Sequence, residues 1–306
     1  MILPERMKKG DTIGVVAPAS PPSMENLENA EKLFQTFGFH VQYGKHVKKV
    51  NGYLAGTDEE RLEDFHDMIR NPKIKAIFFA RGGYGTGRIA SKIDYDLIKK
   101  YPKIILGYSD ITYLHTAIRQ KTDLVTFHGP MPAFDFGKGK FEPISIVWLW
   151  NALLQPEQLI YSDAISPLKV ISPGEAEGQF IGGNLSLMIS TLGTPYEIDM
   201  KDKILLMEDI REEPYRVDSM LNQLKLSGKL DQLKGVVIGD FANADSKLPS
   251  TFTLDEVFEQ YFKDAKYPVM SGFQIGHCQP HFSVPLGVKA TLSTSKKKLL
   301  IDAGVK

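Results

Sequence analysis

Cysteine is nearly absent: of 306 residues, only Cys278 carries a thiol. No disulfide can close within the chain, and a zinc site built on several thiolates is excluded. Such sparing use fits a reducing compartment. Net charge is missing too, since 37 Lys plus Arg balance 37 Asp plus Glu. No overall field therefore draws the protein toward nucleic acid or an anionic membrane. Long apolar runs are also lacking. Nothing approaches the roughly 20 consecutive apolar residues of a membrane span, and the run Ile13 to Ala17 is too short for an export signal. A soluble, cytoplasmic protein is expected, with no nucleic-acid or membrane partner.

What is present is an alternation of short β-branched runs with helical patterns. "DTIGVVAPAS", "FHVQYG", "IKAIFFARGG" and "KIILGYSD" read as strands. Between the first two, Leu27, Ala30, Leu33 and Phe34 recur at helical spacing and stop at Gly38. After the second, Thr57 with Glu60 three residues on forms a capping box for a helix that ends before Pro72. This alternation implies an α/β protein whose parallel sheet is covered on both faces. Ligands bind such sheets at the carboxyl ends of the strands, where the loops after Ala80 and Leu106 lie. From Phe127 to Pro143 the pattern dissolves into a loop rich in Gly, Pro and aromatics, expected to be a mobile or functional cover. A second unit of strands and helices begins near Gly174, with "EGQFIGGNLSLMIS" read as strand, glycine turn and helix. "ATLSTSKKKLLIDAG" closes the chain as a hairpin.

Three places carry candidate chemistry. Ser109, in "GYSDIT", sits where a strand gives way to a helix. It serves there either as a helix cap or as a nucleophile. The glycine-rich "ARGGYGTGRI" misses a phosphate-binding Walker loop because Arg88-Ile89 replaces Lys-Ser/Thr. Its backbone N–H groups remain suited to an oxyanion, and a plain flexible turn is the alternative. Glu208 in "LLMEDI" and His277 in "GFQIGH" each lie at a strand end. His277 and His281 are four residues apart, but Pro280 between them argues against one helix presenting both rings to a metal. No metal or cofactor is expected.

These segments, with "HGPM", "GGNLSL" and "PLGVKATL", resemble the LD-carboxypeptidase family over nearly the whole chain. The resemblance implies two domains: a flavodoxin-like N-terminal α/β domain over 1–165 and a smaller, swivelling C-terminal β/β/α domain over 166–306. It implies a catalytic triad of Ser109, Glu208 and His277, with the N–H groups of Asp110 and of Gly83 (or Gly82) forming the oxyanion hole. It also implies a homodimer acting on a small peptide, either a murein tetrapeptide or a peptidyl-adenylate of the microcin C type. A carboxypeptidase must bind a free carboxylate, for which Arg81, Arg88 and Arg211 are candidates. Tyr84, Phe134 and Phe136 are candidate apolar contacts. A non-catalytic phosphate- or nucleotide-binding module is the reading from a different class.

Overall fold

The computed structural model describes residues 1–139, 141–246 and 250–306; Lys140, in the expected cover, lies outside them. Among the described residues, fourteen strands form two sheets. They are β1 (Thr12–Val16), β2 (His40–Tyr43), β3 (Ile74–Phe79), β4 (Ile104–Gly107), β5 (Thr126–His128), β6 (Leu159–Ser162), β7 (Lys169–Ser172), β8 (Glu175–Asn184), β9 (Lys203–Ile210), β10 (Gly235–Ala242), β11 (Val269–Ser271), β12 (Val284–Leu286), β13 (Lys289–Ser293) and β14 (Lys298–Ile301).

The first sheet runs β12-β5-β4-β3-β1-β2. All its pairings are parallel except β12 with β5. The order β2-β1-β3-β4-β5 is the flavodoxin-like one, with a topological switch between β1 and β3. Both faces are buried over most of the strand, which is why β3, after an exposed Lys75, reads as the apolar run Ala76 to Phe79. Ala76 and Phe78 join a cluster with Leu27, Ala30 and Phe34 from helix Met24–Thr36. Ile77 and Phe79 join the opposite cluster, with Phe65 and Ile69 from helix Asp58–Arg70. The capping box is as expected: Thr57 N–H donates to Glu60 Oε2 (2.9 Å) and Glu60 N–H to Thr57 Oγ1 (3.2 Å).

The second sheet runs β6-β14-β13-β8-β9-β10-β11-β7, with a parallel centre (β8 to β11) and antiparallel flanks. Gly182 and Gly183 do not make a turn. They lie within β8, where a Cβ on Gly182 would fall 1.9 Å from the Leu206 carbonyl oxygen, so the residue is glycine because two backbones approach there. Sheet membership also departs from the expected division at 165. β6 already belongs to the second sheet, and β12 returns to the first. One continuous apolar cluster joins Phe78 and Leu106 of the first sheet to Phe180, Leu206 and Val237 of the second.

Within the expected cover, residues 127–137 are mostly packed inward, with Met131 and Phe134 reaching the candidate cavity. Residues 127–133 are buried, and Phe136 stands edge-on to Phe34 at 5.1 Å, as a core aromatic. Gly137 leaves no room for a side chain, since a Cβ would meet the Asn26 carbonyl oxygen at 1.9 Å.

Candidate active site

Strand β4 ends at Gly107. Tyr108 is extended, and Ser109 then takes φ +63 before helix Thr112–Thr122 begins. Left-handed backbone is unfavourable for a residue with a Cβ and is held only where its surroundings impose it. Here Thr86 imposes it: its Oγ1–H donates to the Asp110 carbonyl (2.6 Å) and its N–H to Asp110 Oδ2 (3.0 Å). Burial pushes the Asp110 carboxyl up to about 6. The Ser109 side chain accepts no capping bond, so the helix-cap alternative falls.

The loop after β3 lies against this turn. A Cβ on Gly82 would sit 3.1 Å from Ser109 Cβ and 3.3 Å from the Asp110 nitrogen. Gly83, at φ +115, has Ser20 Oγ where a Cβ would go. Among the described residues, neither the Gly83 nor the Asp110 N–H has an acceptor. These are free backbone donors that a negative charge would satisfy.

Glu208 and His277 come from the second sheet. Glu208 lies within β9 rather than beyond it and is fully buried, and His277 follows β11. His277 Nδ1 stands 2.7 Å from Glu208 Oε2. An ionised carboxylate only accepts, so Nδ1 carries the proton and Nε2 is left for the cavity. Burial opposes charge on both groups, yet their mutual attraction prevails. Glu208 is held below the ordinary carboxylate range, and His277 is raised above the ordinary imidazole value. Gly276, at φ +135, allows this contact: a Cβ there would lie 2.9 Å from both Cβ and Oε2 of Glu208. On the other flank of the imidazole, the Tyr108 ring packs at 4.7 Å. Its O–H donates to Asp135 Oδ1 (3.1 Å), while the Met131 N–H donates to Asp135 Oδ2 (2.7 Å).

Ser109 and His277 line one cavity of ≈ 310 Å³, with Gly82 and Gly83 beside them. No hydrogen bond joins the two among the described residues, and contacts of this kind tighten when substrate binds. Arg81 and Arg211 also line the cavity, as do Met131, Phe134 and Ile210. Arg81 Nε is buried without a partner. Arg88 and Tyr84 do not line it. Arg88 is ion-paired with Asp58 (3.1 Å), and Tyr84 stands 54% exposed against Tyr53. Tyr108, Asp135, Met131 and Ile210 were not singled out from the sequence. The signals available were a tyrosine abutting the serine and a lone acid in an apolar loop. No cluster of three or more His, Cys, Asp and Glu among the described residues is arranged to hold a metal.

Residues 13–129 match the model of the LD-carboxypeptidase N-terminal domain, and residues 177–292 that of the C-terminal domain. The chain belongs to the LD-carboxypeptidase family. Within the LD-carboxypeptidases, it is 50% identical over 303 residues to the "Probable murein peptide carboxypeptidase" of Bacillus subtilis (strain 168), covering 99% of this chain and 95% of that protein. The crystal structure of muramoyltetrapeptide carboxypeptidase from Oxalobacter formigenes is similar at TM-score 0.83 and 29% identity, over 95% of this chain and 98% of that one. The microcin C7 self-immunity protein in complex with aspartyl sulfamoyl adenosine is similar at TM-score 0.90 and 28% identity, over 99% and 98%. An LD-carboxypeptidase is an enzyme, which removes the non-catalytic phosphate module from consideration. No described helix of this one is long and apolar enough to cross a membrane.

Proposed function

We propose that this LD-carboxypeptidase is a serine peptidase that releases D-alanine from the L-residue–D-alanine bond of murein tetrapeptides. The observation carrying the proposal is the 2.7 Å His277–Glu208 contact facing, across one cavity, a serine held at φ +63. In this reading, His277 Nε2 takes the Ser109 proton as Oγ attacks the scissile carbonyl. Glu208 fixes the imidazole tautomer and stabilises the imidazolium. The Gly83 and Asp110 N–H groups receive the oxyanion of the tetrahedral intermediate, and one such donor is worth about 2.7–4 kcal/mol of barrier. His277 then protonates the departing D-alanine amine, and water resolves the acyl-enzyme by the same steps.

Arg81 and Arg211 supply cations at the cavity wall for the substrate's terminal carboxylate. The murein assignment draws support from the names of relatives similar over nearly the full chain. A homodimer and a cytoplasmic location are part of the proposal, and sedimentation and cell fractionation test them. The central test is mass spectrometry of a muropeptide digest. The wild type should remove a single alanine. Ser109→Ala should remove none while still binding the tetrapeptide, and full turnover by that variant would end the mechanism.

A further inference from the structure

Only one oxygen of Glu208 is accounted for by His277. The other, Oε1, is fully buried and has no hydrogen-bond partner among the described residues. Buried carboxylate oxygens are seldom left so, because an unmet acceptor in a low-dielectric interior is destabilising. The polar atom facing it is His128 Nε2, at 3.6 Å. His128 is likewise buried, and among the described residues neither of its ring nitrogens has a partner. The separation is slightly beyond hydrogen-bond range, and a small approach of the two groups would satisfy both atoms directly.

The backbone is arranged for this approach. His128 ends β5, beside Gly107 of β4, which leads into Ser109. It reaches out of the nucleophile's sheet toward β9 of the other sheet, past Gly183, where a Cβ would stand 3.4 Å from His128 Cδ2. His128 is among the interactions that hold Glu208 ionised against its burial, alongside the larger attraction of His277.

We propose that His128 is a positioning residue, donating its Nε2–H to Glu208 Oε1 so that Oε2 stays directed at His277 Nδ1. Glu208 is then held from both sides, by an imidazole of each sheet. The proposal rests on the triad described above, in which His128 touches neither substrate nor reacting atoms. The contact closes by a shift of a few tenths of an ångström.

Two measurements test it. Imidazole nitrogen NMR of the wild-type protein, assigned by comparison with His128→Gln, should show the His128 proton on Nε2. A bare Nε2 overturns the proposal whatever the enzyme cleaves, so its failure is separable from failure of the murein reading. Kinetics on a D-alanine-terminated tetrapeptide give the second test. His128→Phe keeps a ring but lacks a donor, and its kcat should fall about 10- to 100-fold with little change in KM. His128→Gln restores an N–H and should recover most of that loss. Equal kcat in the two variants, whether high or low, overturns the donor role, because a merely packing residue would favour the ring.

Discussion

Replacing Gly276 with alanine introduces a single carbon at the tightest point of the acid–base pair. That carbon would lie 2.9 Å from Glu208 Cβ and Oε2, where ordinary contact begins at 3.4 Å. Something must give by about 0.5 Å, the difference between those distances. The Gly239 backbone flanks Glu208 on another side, where a Cβ would meet Glu208 Cβ at 3.3 Å, and limits how far the side chain can retreat. The displacement therefore passes into the 2.7 Å bond to His277, the next residue in the chain. A 1 Å error in a catalytic geometry is worth about 100-fold, so kcat/KM should fall roughly 10- to 100-fold. The variant must also hold alanine at φ +135, a strain of about 1–3 kcal/mol that lowers Tm. Gly10→Ala separates the two effects. Gly10 has φ +91, but a Cβ there meets nothing within 4 Å, so the variant should lose stability and keep its activity. The assay is steady-state release of D-alanine from a tetrapeptide, with Tm measured in parallel. Wild-type kcat/KM in Gly276→Ala, or an equal activity loss in Gly10→Ala, would refute the reasoning.

Other outcomes follow from the cavity wall and from the charge around the base. Arg211→Ala should raise KM about 10- to 100-fold, the worth of a charged hydrogen bond, while Arg88→Ala, ion-paired with Asp58 outside the cavity, should leave kcat/KM within about twofold. Initial rates over a substrate series check both. In the proposed mechanism His277 acts as a base only when neutral, and its pKa lies above the ordinary value because, against burial, Glu208, Asp135 and Asp209 prevail. The acid limb of the kcat/KM profile should therefore lie at higher pH than for an ordinary histidine. Asp135→Asn removes one of those negative charges and should move the limb to lower pH, and a shift the other way would contradict the electrostatic account.

Much of the nucleophile's lobe was legible in the sequence because its signals are local. A capping box, a β-branched run and a serine at a strand end each depend on neighbours a few residues away. What escaped depends on contacts distant in sequence. β12 is three residues with a proline in the middle, and nothing in "SVPLG" says which of two sheets will accept it. Gly182 and Gly183 read as a turn because glycine serves turns and close backbone approach alike. The aromatic loop after β5 read as a cover because its Gly and Pro content hid that Phe136 and Gly137 pack against helix Met24–Thr36. Arg81 and Arg88 were indistinguishable until Asp58 was seen to take one of them. The proposed triad of Ser109, Glu208 and His277 rests on a pattern spread over the whole chain, and the depth at which Glu208 is buried is not visible in "LLMEDI".

The return of β12 to the first sheet bears on how firmly the proposed triad is held. The segment carrying His277 runs on within a few residues into β12, which pairs with β5, the strand that ends in His128. His281 N–H donates to Ser145 Oγ and Trp148 Nε1–H to the Ser283 carbonyl, fastening the same segment to helix Pro143–Leu154. His277 is thus moored to the lobe of Ser109 by its own downstream chain. Cutting the polypeptide near residue 165 would strand β12 on the wrong fragment and leave β5 with a raw edge, so the two halves should be inherited, expressed and engineered as one piece.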